Sequence, residues 1–174
     1  RLLKDERIVK LFTRPEGIIN PEAANAIREA EAIIFAPGDL FNSLIASLII
    51  GGVKTAIKAS QAKLIYVVNL MTLNSQTNYM SAADHVREIE KYAGKKIDWI
   101  VVNDQAVPEK ILAAYAKQVE YPVVDDLGSS LRVVRQPLLA PAPYEKPKSD
   151  MLKRSLLRHD PEKLAQVIIK LVCG

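Results

Sequence analysis

Short, nearly uninterrupted apolar runs alternate along this chain with segments whose apolar residues recur every three or four positions. The first kind predicts buried strands and the second amphipathic helices. Arg7–Phe12 (RIVKLF) predicts a first strand, and the fully apolar Ala32–Phe35 a second. Lys63–Asn69 (KLIYVVN), Ile97–Asn103 (IDWIVVN) and the short Tyr121–Val124 (YPVV) follow. Leu131–Leu138 reads as an edge strand, the one place where Pro137 is tolerated. Between them the helix signals are explicit. Asn20-Pro21 gives an N-cap with proline at the first helical position, and Ala23, Ala26, Ile27 and Ala30 share a face. Leu40 to about Ile50 predicts a helix, followed by Gly51-Gly52 and a second piece, Val53–Ala59. The glycine pair is either a helix stop or a point of close packing. Ser81–Asp84 is a capping box, Gly94 the matching stop, and His85, Ile89 and Tyr92 lie on one face between them. Pro108 opens a helix carrying Ile111, Leu112, Tyr115 and Val119. Asp160-Pro161 opens the last one, striped by Leu164, Val167, Ile168, Leu171 and Val172.

Composition narrows the class. The 174 residues are 49% hydrophobic and 25% charged, with a net charge of +4. That is enough chain for one soluble globular domain, 1–174, with a substantial core. The basic residues are dispersed, so no nucleic-acid partner is expected. The longest apolar run, Leu44–Val53, is about half the length a membrane span needs. No signal peptide is visible, and one cysteine, Cys173, makes neither an internal disulfide nor a metal site. These features fit the cytoplasm. Ala140–Pro147, with three prolines, predicts a surface excursion.

The chemistry gathers where strands end. Pro37-Gly38-Asp39 forms a strand–turn–helix junction at the carboxyl end of Ala32–Phe35, where ligands of α/β proteins bind. Gly38 permits close backbone approach, and Asp39, Asn42 and Ser43 bring polar groups to the same mouth. The same residues also suit an ordinary turn, with Asp39 as a helix cap. The polar loop Asn69–Met80 suits hydrogen bonding to a neutral polar ligand, or simple solvation. Two strands end in an asparagine, Asn69 and Asn103, whose amides both donate and accept; local turn chemistry is the other reading. His85 is either a ligand contact or a satisfied structural residue, and without a second histidine nearby it makes no metal site. Tyr115 faces the core by periodicity. Arg158 and His159, just ahead of the last helix, both suit an anion, though Arg158 could pair with Asp160 or a carbonyl instead. No GxSxG, Walker, HExxH or CxxC motif is present, and no catalytic residue is identified.

Several blocks, taken in order, resemble one known group. INPEAANAIREAEAIIFAPGDLFNSLIASLIIGGVKTAI, KLIYVVNLMT, YMSAADHVREIEKYAG, IDWIVVN, AAYAKQVEYPVVDD and RHDPEKLAQVI are similar to the blocks of the gluconeogenesis-factor (YvcK-like) family. That family is homologous to 2-phospho-L-lactate transferase (CofD-like). The resemblance runs from Arg7 to Val172. It departs from the family at Ala36 (usually Gly), at Asp39, Phe41 and Asn42 (Ser, Tyr, Thr), at Ser47 and Gly51 (Asn, Pro), and at Leu73–Gln76. The family's N-terminal Gly-rich strand–turn–helix has no counterpart, and Gly128-Ser129-Ser130 is not its Gly-Ser loop. The chain thus reads as the C-terminal part of the family domain.

The resemblance implies a Rossmann-like three-layer α/β fold with a mostly parallel sheet, binding a nucleotide derivative at the strand ends. For the gluconeogenesis-factor branch the implied ligand is a UDP-sugar such as UDP-N-acetylglucosamine. Its role there is regulatory, linking carbon metabolism to cell-wall synthesis and cell shape, with no further cofactor. For the transferase branch it implies group transfer from a nucleotide diphosphate to a deazaflavin. It places Pro37 to Ser43 near the ligand and has Asn69, Met71 and Thr72 line it. It also matches Asp84 and His85 to a family pair, raises Tyr115 as a ligand contact and makes Arg158 a phosphate contact. Partners consistent with this reading are a nucleotide sugar and either a second copy of the chain or a regulated protein.

Overall fold

The computed structural model describes residues 8–142 and 155–174. Four short strands form one sheet: β1 (Ala32–Phe35), β2 (Lys63–Val67), β3 (Trp99–Asn103) and β4 (Val133–Gln136), in the order β1-β2-β3-β4. Every neighbouring pair is parallel, with Ile34 opposite Ile65, Tyr66 opposite Ile100 and Val101 opposite Val134. Parallel strands need long crossovers, and helices supply them. After α1 (Pro21–Glu29), which precedes the sheet, α2 (Ala46–Leu48) and α3 (Val53–Ala59) connect β1 to β2, α4 (Ala82–Ala93) connects β2 to β3 and α5 (Glu109–Ala116) connects β3 to β4, while α6 (Pro161–Cys173) follows the sheet. Ahead of α2, Leu40–Ile45 winds as a wide π-helical turn, in which the Asp39 carbonyl accepts from both the Ser43 and the Leu44 N–H.

The two-residue period of β2 builds both cores. Leu64, Tyr66 and Val68 pack on one face with Phe35, Phe41, Ile45, Ile57 and Ile89. Ile65 and Val67 point the other way and meet Val101, Leu138 and the α6 stripe of Leu164, Val167, Ile168 and Leu171. The result is three layers, with the π turn, α2, α3 and α4 on one side of the sheet and α6 on the other. The capping signals hold. Asn20 accepts from the Glu22 N–H, Ser81 and Asp84 exchange both capping-box bonds, and Asp160 accepts from the Glu162 and Lys163 N–H groups.

Some expectations are corrected. Residues 8–12 make no strand: Ile8 and Leu11 turn inward, three positions apart, which no strand geometry allows, while Val9 is 87% exposed. Tyr121–Val124 supplies one antiparallel bridge, Met71 opposite Pro122, because proline has no N–H to extend a ladder. On α1 the inward residues are Ala24 and Ile27; Ala23 and Ala26 are exposed. α5 stops at Ala116, so Val119 lies past it, in a left-handed conformation (φ 59°). β4 is the edge strand expected, with Pro137 just beyond it. Much of the Ala140–Pro147 stretch lies outside the described residues. No helix among the described residues is long and apolar enough to cross a membrane.

Of the two readings of the glycine pair, close packing is the one seen: α2 already ends at Leu48, and Gly52 starts α3. Gly52, at φ 93°, caps α3 in the left-handed region and sits against Ile19: a Cβ there would lie 2.7 Å from Ile19 Cγ2. Gly51 exchanges backbone bonds with Gly17 and Ile19 at 2.8 Å, joining the 17–19 segment to the α2–α3 corner. At Gly94 (φ 72°) the nearest obstacle is only the flexible end of Lys54. Gly52→Ala is therefore expected to lower unfolding free energy by about 2–4 kcal/mol, against about 1 kcal/mol for Gly94→Ala, in urea denaturation.

Candidate functional site: a cleft at the carboxyl ends of β1 and β2

Where β1 and β2 end, the chain opens a cleft of about 480 Å³. Its first wall is the Pro37-Gly38-Asp39 turn leaving β1. Its second is the Asn69–Leu73 segment leaving β2. Tyr115 and Glu120 close it from the end of α5, and Ser155, Leu157, Arg158 and His159 from the segment entering α6.

Asn69 joins the first two walls. Its Nδ2 donates to the Gly38 carbonyl at 2.7 Å, and its Oδ1 accepts from the Gly38 N–H at 3.3 Å. Gly38 itself is not demanded by the protein: a Cβ there would meet only Ser43 Cβ, at an ordinary 3.8 Å. The second wall is pinned to the α5 exit. Thr72 is buried, donates its N–H to the Tyr121 carbonyl at 2.7 Å, and accepts from the Tyr121 N–H through Oγ1 at 2.9 Å. The third wall hangs from Tyr115, whose hydroxyl accepts from the Leu157 N–H at 3.1 Å. It also hangs from the Leu139–His159 bridge, in which Ala140 donates to the Arg158 carbonyl and Asp160 to that of Leu138. Tyr115 is thus both a core residue, 5% exposed, and part of the cleft lining.

Among the residues singled out from the sequence, Pro37, Gly38, Asp39, Asn69, Met71, Thr72, Tyr115 and Arg158 come together here. Asn42 and Ser43 are exposed on the π turn behind Asp39, outside the lining. Asp84 is occupied by the capping box and by an ion pair with Arg87. His85 is fully buried, with Nδ1 2.9 Å from the Ser81 carbonyl, and does not reach the cleft. The Asn103 amide accepts from the Leu138 N–H at 2.9 Å and donates to the Gln105 carbonyl. It lines a separate, more apolar hollow of about 310 Å³ beyond β2 and β3.

The polar loop mostly binds itself: Leu73 and Thr77 exchange two bonds, and Asn78 bonds to Ser75 and Asn74. Sequence reasoning missed Glu120, a buried carboxylate that no motif announces. No group of three or more metal-ligating side chains occurs among the described residues.

The electrostatics are set by burial. His159 is pushed down to about 4 by desolvation, and His85 is lowered for the same reason against the opposing pull of the Ser81 carbonyl and Asp84. Both imidazoles are neutral at pH 7, so the cationic group of the lining is Arg158.

These features define an α/β protein with a ligand-sized cleft at the carboxyl ends of parallel strands. The profile of the family described as 2-phospho-L-lactate transferase CofD matches residues 2–139, and the chain belongs to that family. The gluconeogenesis factor of Bacillus subtilis is 30% identical over 173 residues, 96% of this chain and 51% of its own. That of Halalkalibacterium halodurans is 37% identical over 124 residues, 70% of this chain and 38% of its own. The crystal structure of protein BH3568 from Bacillus halodurans superposes with a TM-score of 0.80 at 27% identity, covering 94% of this chain and 51% of that one. The chain spans about half the length, or less, of these relatives.

Stability should track the buried imidazoles. His159 titrates below its unfolded value, so as pH falls through about 6.5 the unfolded chain takes up a proton that the folded one refuses. Its contribution is complete above that pH and is lost on acidification. Between pH 7.5 and 5, His159 alone is expected to remove about 2 kcal/mol, a loss that His159→Gln abolishes in urea titrations at the two pH values.

Proposed function

We propose that this protein is a regulatory UDP-sugar-binding protein of the gluconeogenesis-factor type, and that the cleft between the Pro37–Asp39 turn and the Asn69–Leu73 segment holds the ligand. The observation that carries the reading is the make-up of this cleft. A backbone turn whose glycine the fold itself does not require shares it with Arg158, at the sheet edge where α/β proteins bind nucleotides. Arg158 offers the bidentate fork suited to a diphosphate. Thr72, Tyr115 and the Asn69–Leu73 backbone add polar groups to the same lining. The cleft volume falls within the roughly 300–1,000 Å³ of small-molecule sites. The naming of similar proteins as gluconeogenesis factors supports a role in carbon metabolism. A cytoplasmic site of action and a link to cell-wall synthesis and cell shape belong to the same proposal.

The family description favours a second reading, a nucleotide-dependent transferase of the 2-phospho-L-lactate type. Calorimetric titration of the intact protein with UDP-N-acetylglucosamine and with GDP separates the two. Saturable heat with the UDP-sugar alone supports the regulatory reading, GDP binding alone supports the transferase, and silence with both removes the ligand assignment.

Two variants follow. Arg158→Ala is expected to weaken the UDP-sugar at least tenfold, the loss of a charge-assisted contact. Gly38→Ala is expected to leave the melting temperature within a few degrees of the parent while weakening the ligand, because the added methyl meets no protein atom closely. Unchanged affinity in both variants would exclude this cleft.

A further inference from the structure

Between β4 and α6 lies a second hollow, of about 440 Å³, that shares no lining residue with the cleft. Its floor is apolar: Val134 of β4, Leu138 just past it, and Val167 and Leu171 of α6. Leu138 is buried, but the other three are only half-buried, and α6 has no fully buried residue along its length. Lys163 and Lys170 stand in the same lining, which contains no acidic residue. Seven positions apart, they are separated by two helical turns, about 10 Å along the axis of α6. Neither ammonium has an ion-pair or hydrogen-bond partner among the described residues. Lys54, Lys63 and Lys95, in contrast, are each bonded to a backbone carbonyl.

The β4 edge beside this hollow is closed to a further strand. The Ile100 N–H bonds to the Arg132 carbonyl and the Asp104 N–H to that of Gln136. The alternation of a parallel ladder therefore turns Val134 toward β3 and leaves Val133 and Arg135 facing outward. The Val133 N–H is already given to the Ser130 carbonyl, and Pro137 has none to give. A strand laid along this edge would find only the Arg135 N–H, which is how sheet edges are protected from pairing.

We propose that the hollow is a docking groove for an amphipathic helix of a partner protein, its apolar stripe on the floor and its acidic side chains on Lys163 and Lys170. A helix satisfies its own backbone, so it can lie on a surface that offers no ladder. Acidic positions seven apart on such a helix repeat at the spacing of the two lysines. Charge complementarity selects the partner: two unpaired cations, with no acid beside them, favour an acidic helix over a neutral or basic one. α6 begins just after His159 of the cleft lining, so one helix borders both places. The groove goes beyond the ligand reading and does not depend on it.

The test is fluorescence anisotropy on the intact protein with a dye-labelled peptide of about 18 leucine and glutamate residues, patterned as an amphipathic helix. A second peptide carries serine for leucine and a third lysine for glutamate. The parent is expected to bind the first saturably and the other two at least tenfold more weakly. Combining Lys163→Glu with Lys170→Glu is expected to weaken the acidic peptide at least tenfold. Combining Lys58→Glu with Lys110→Glu, the same charge change at exposed lysines of α3 and α5, is expected to weaken it by less than threefold. All these lysines are exposed, so both variants should melt with the parent. Titration with UDP-N-acetylglucosamine should not distinguish the Lys163/Lys170 variant from the parent, so the ligand reading can fail while this one stands. No saturable binding of the acidic peptide, equal losses in the two lysine pairs, or equal binding of the serine peptide would overturn the proposal. So would binding to phosphatidylserine vesicles but not to the peptide, which would make the groove a membrane surface. Self-association of the parent in sedimentation velocity, lost in the Lys163/Lys170 variant, would also overturn it by making a second copy the occupant.

Discussion

The cleft depends on one side-chain amide. Asn69 follows β2 and bonds both the N–H and the carbonyl of Gly38, which follows β1. A turn leaving a strand has lost its ladder partners, and its peptide groups need others. By supplying a donor and an acceptor to one peptide neighbour, Asn69 extends the β1–β2 pairing past the last ladder residues without adding a strand. A carboxylate in its place could not donate, and an apolar residue would leave both groups unpaired. The direction in which the Pro37–Asp39 turn departs therefore follows from this contact, as does the path of the π turn built on the Asp39 carbonyl.

The other walls are held by the same device of side chains bonding to a distant backbone. Thr72 holds Tyr121, Tyr115 holds Leu157, and the Asn103 amide receives the Leu138 N–H where β3 and β4 end. Each bond ties a residue at or beyond the end of a strand or helix to a segment distant in sequence. Loops fixed this way are positioned by the sheet, so a ligand can be met by a largely formed site, which lowers the ordering cost of binding.

Much of this was legible in the sequence. The apolar runs marked β1, β2, β3 and the β4 edge because burial on both faces leaves little room for polar residues. The caps Asn20, Ser81 and Asp160 marked helix starts because a short oxygen beside unpaired N–H groups has one strong use. The Pro37–Asp39 turn, Asn69, Tyr115 and Arg158 were legible as site candidates by position and resemblance. Long-range geometry was not. Periodicity set His85 in the first turn of α4 but could not say that the same turn faces the core. Asn103 and Asn69 both end a run of apolar residues, yet one amide serves its own turn and β4, while the other reaches across to β1. The polar composition of the Asn69–Met80 loop was read as serving a ligand or solvent, whereas much of it closes the loop on itself. Glu120 left no local trace, because what buries it is a left-handed Val119, and valine is the last residue from which that conformation would be inferred.

The distribution of charge completes the picture. The net charge of +4 does not mark an anion site, because several lysines close helix ends at the opposite edge of the sheet. Lys95 donates to the Ser60 and Ala62 carbonyls beyond α3, Lys54 to the Lys91 carbonyl near the end of α4, and Lys63 to the Leu171 and Val172 carbonyls of α6. Those ends carry the negative pole of each helix, so the lysines there are held by the fold. The cleft, in contrast, has its histidine neutralised by burial and counts one arginine and two acidic residues in its lining. The UDP-sugar proposed above carries its negative charge at one end and hydroxyls at the other, a pattern that free phosphate lacks.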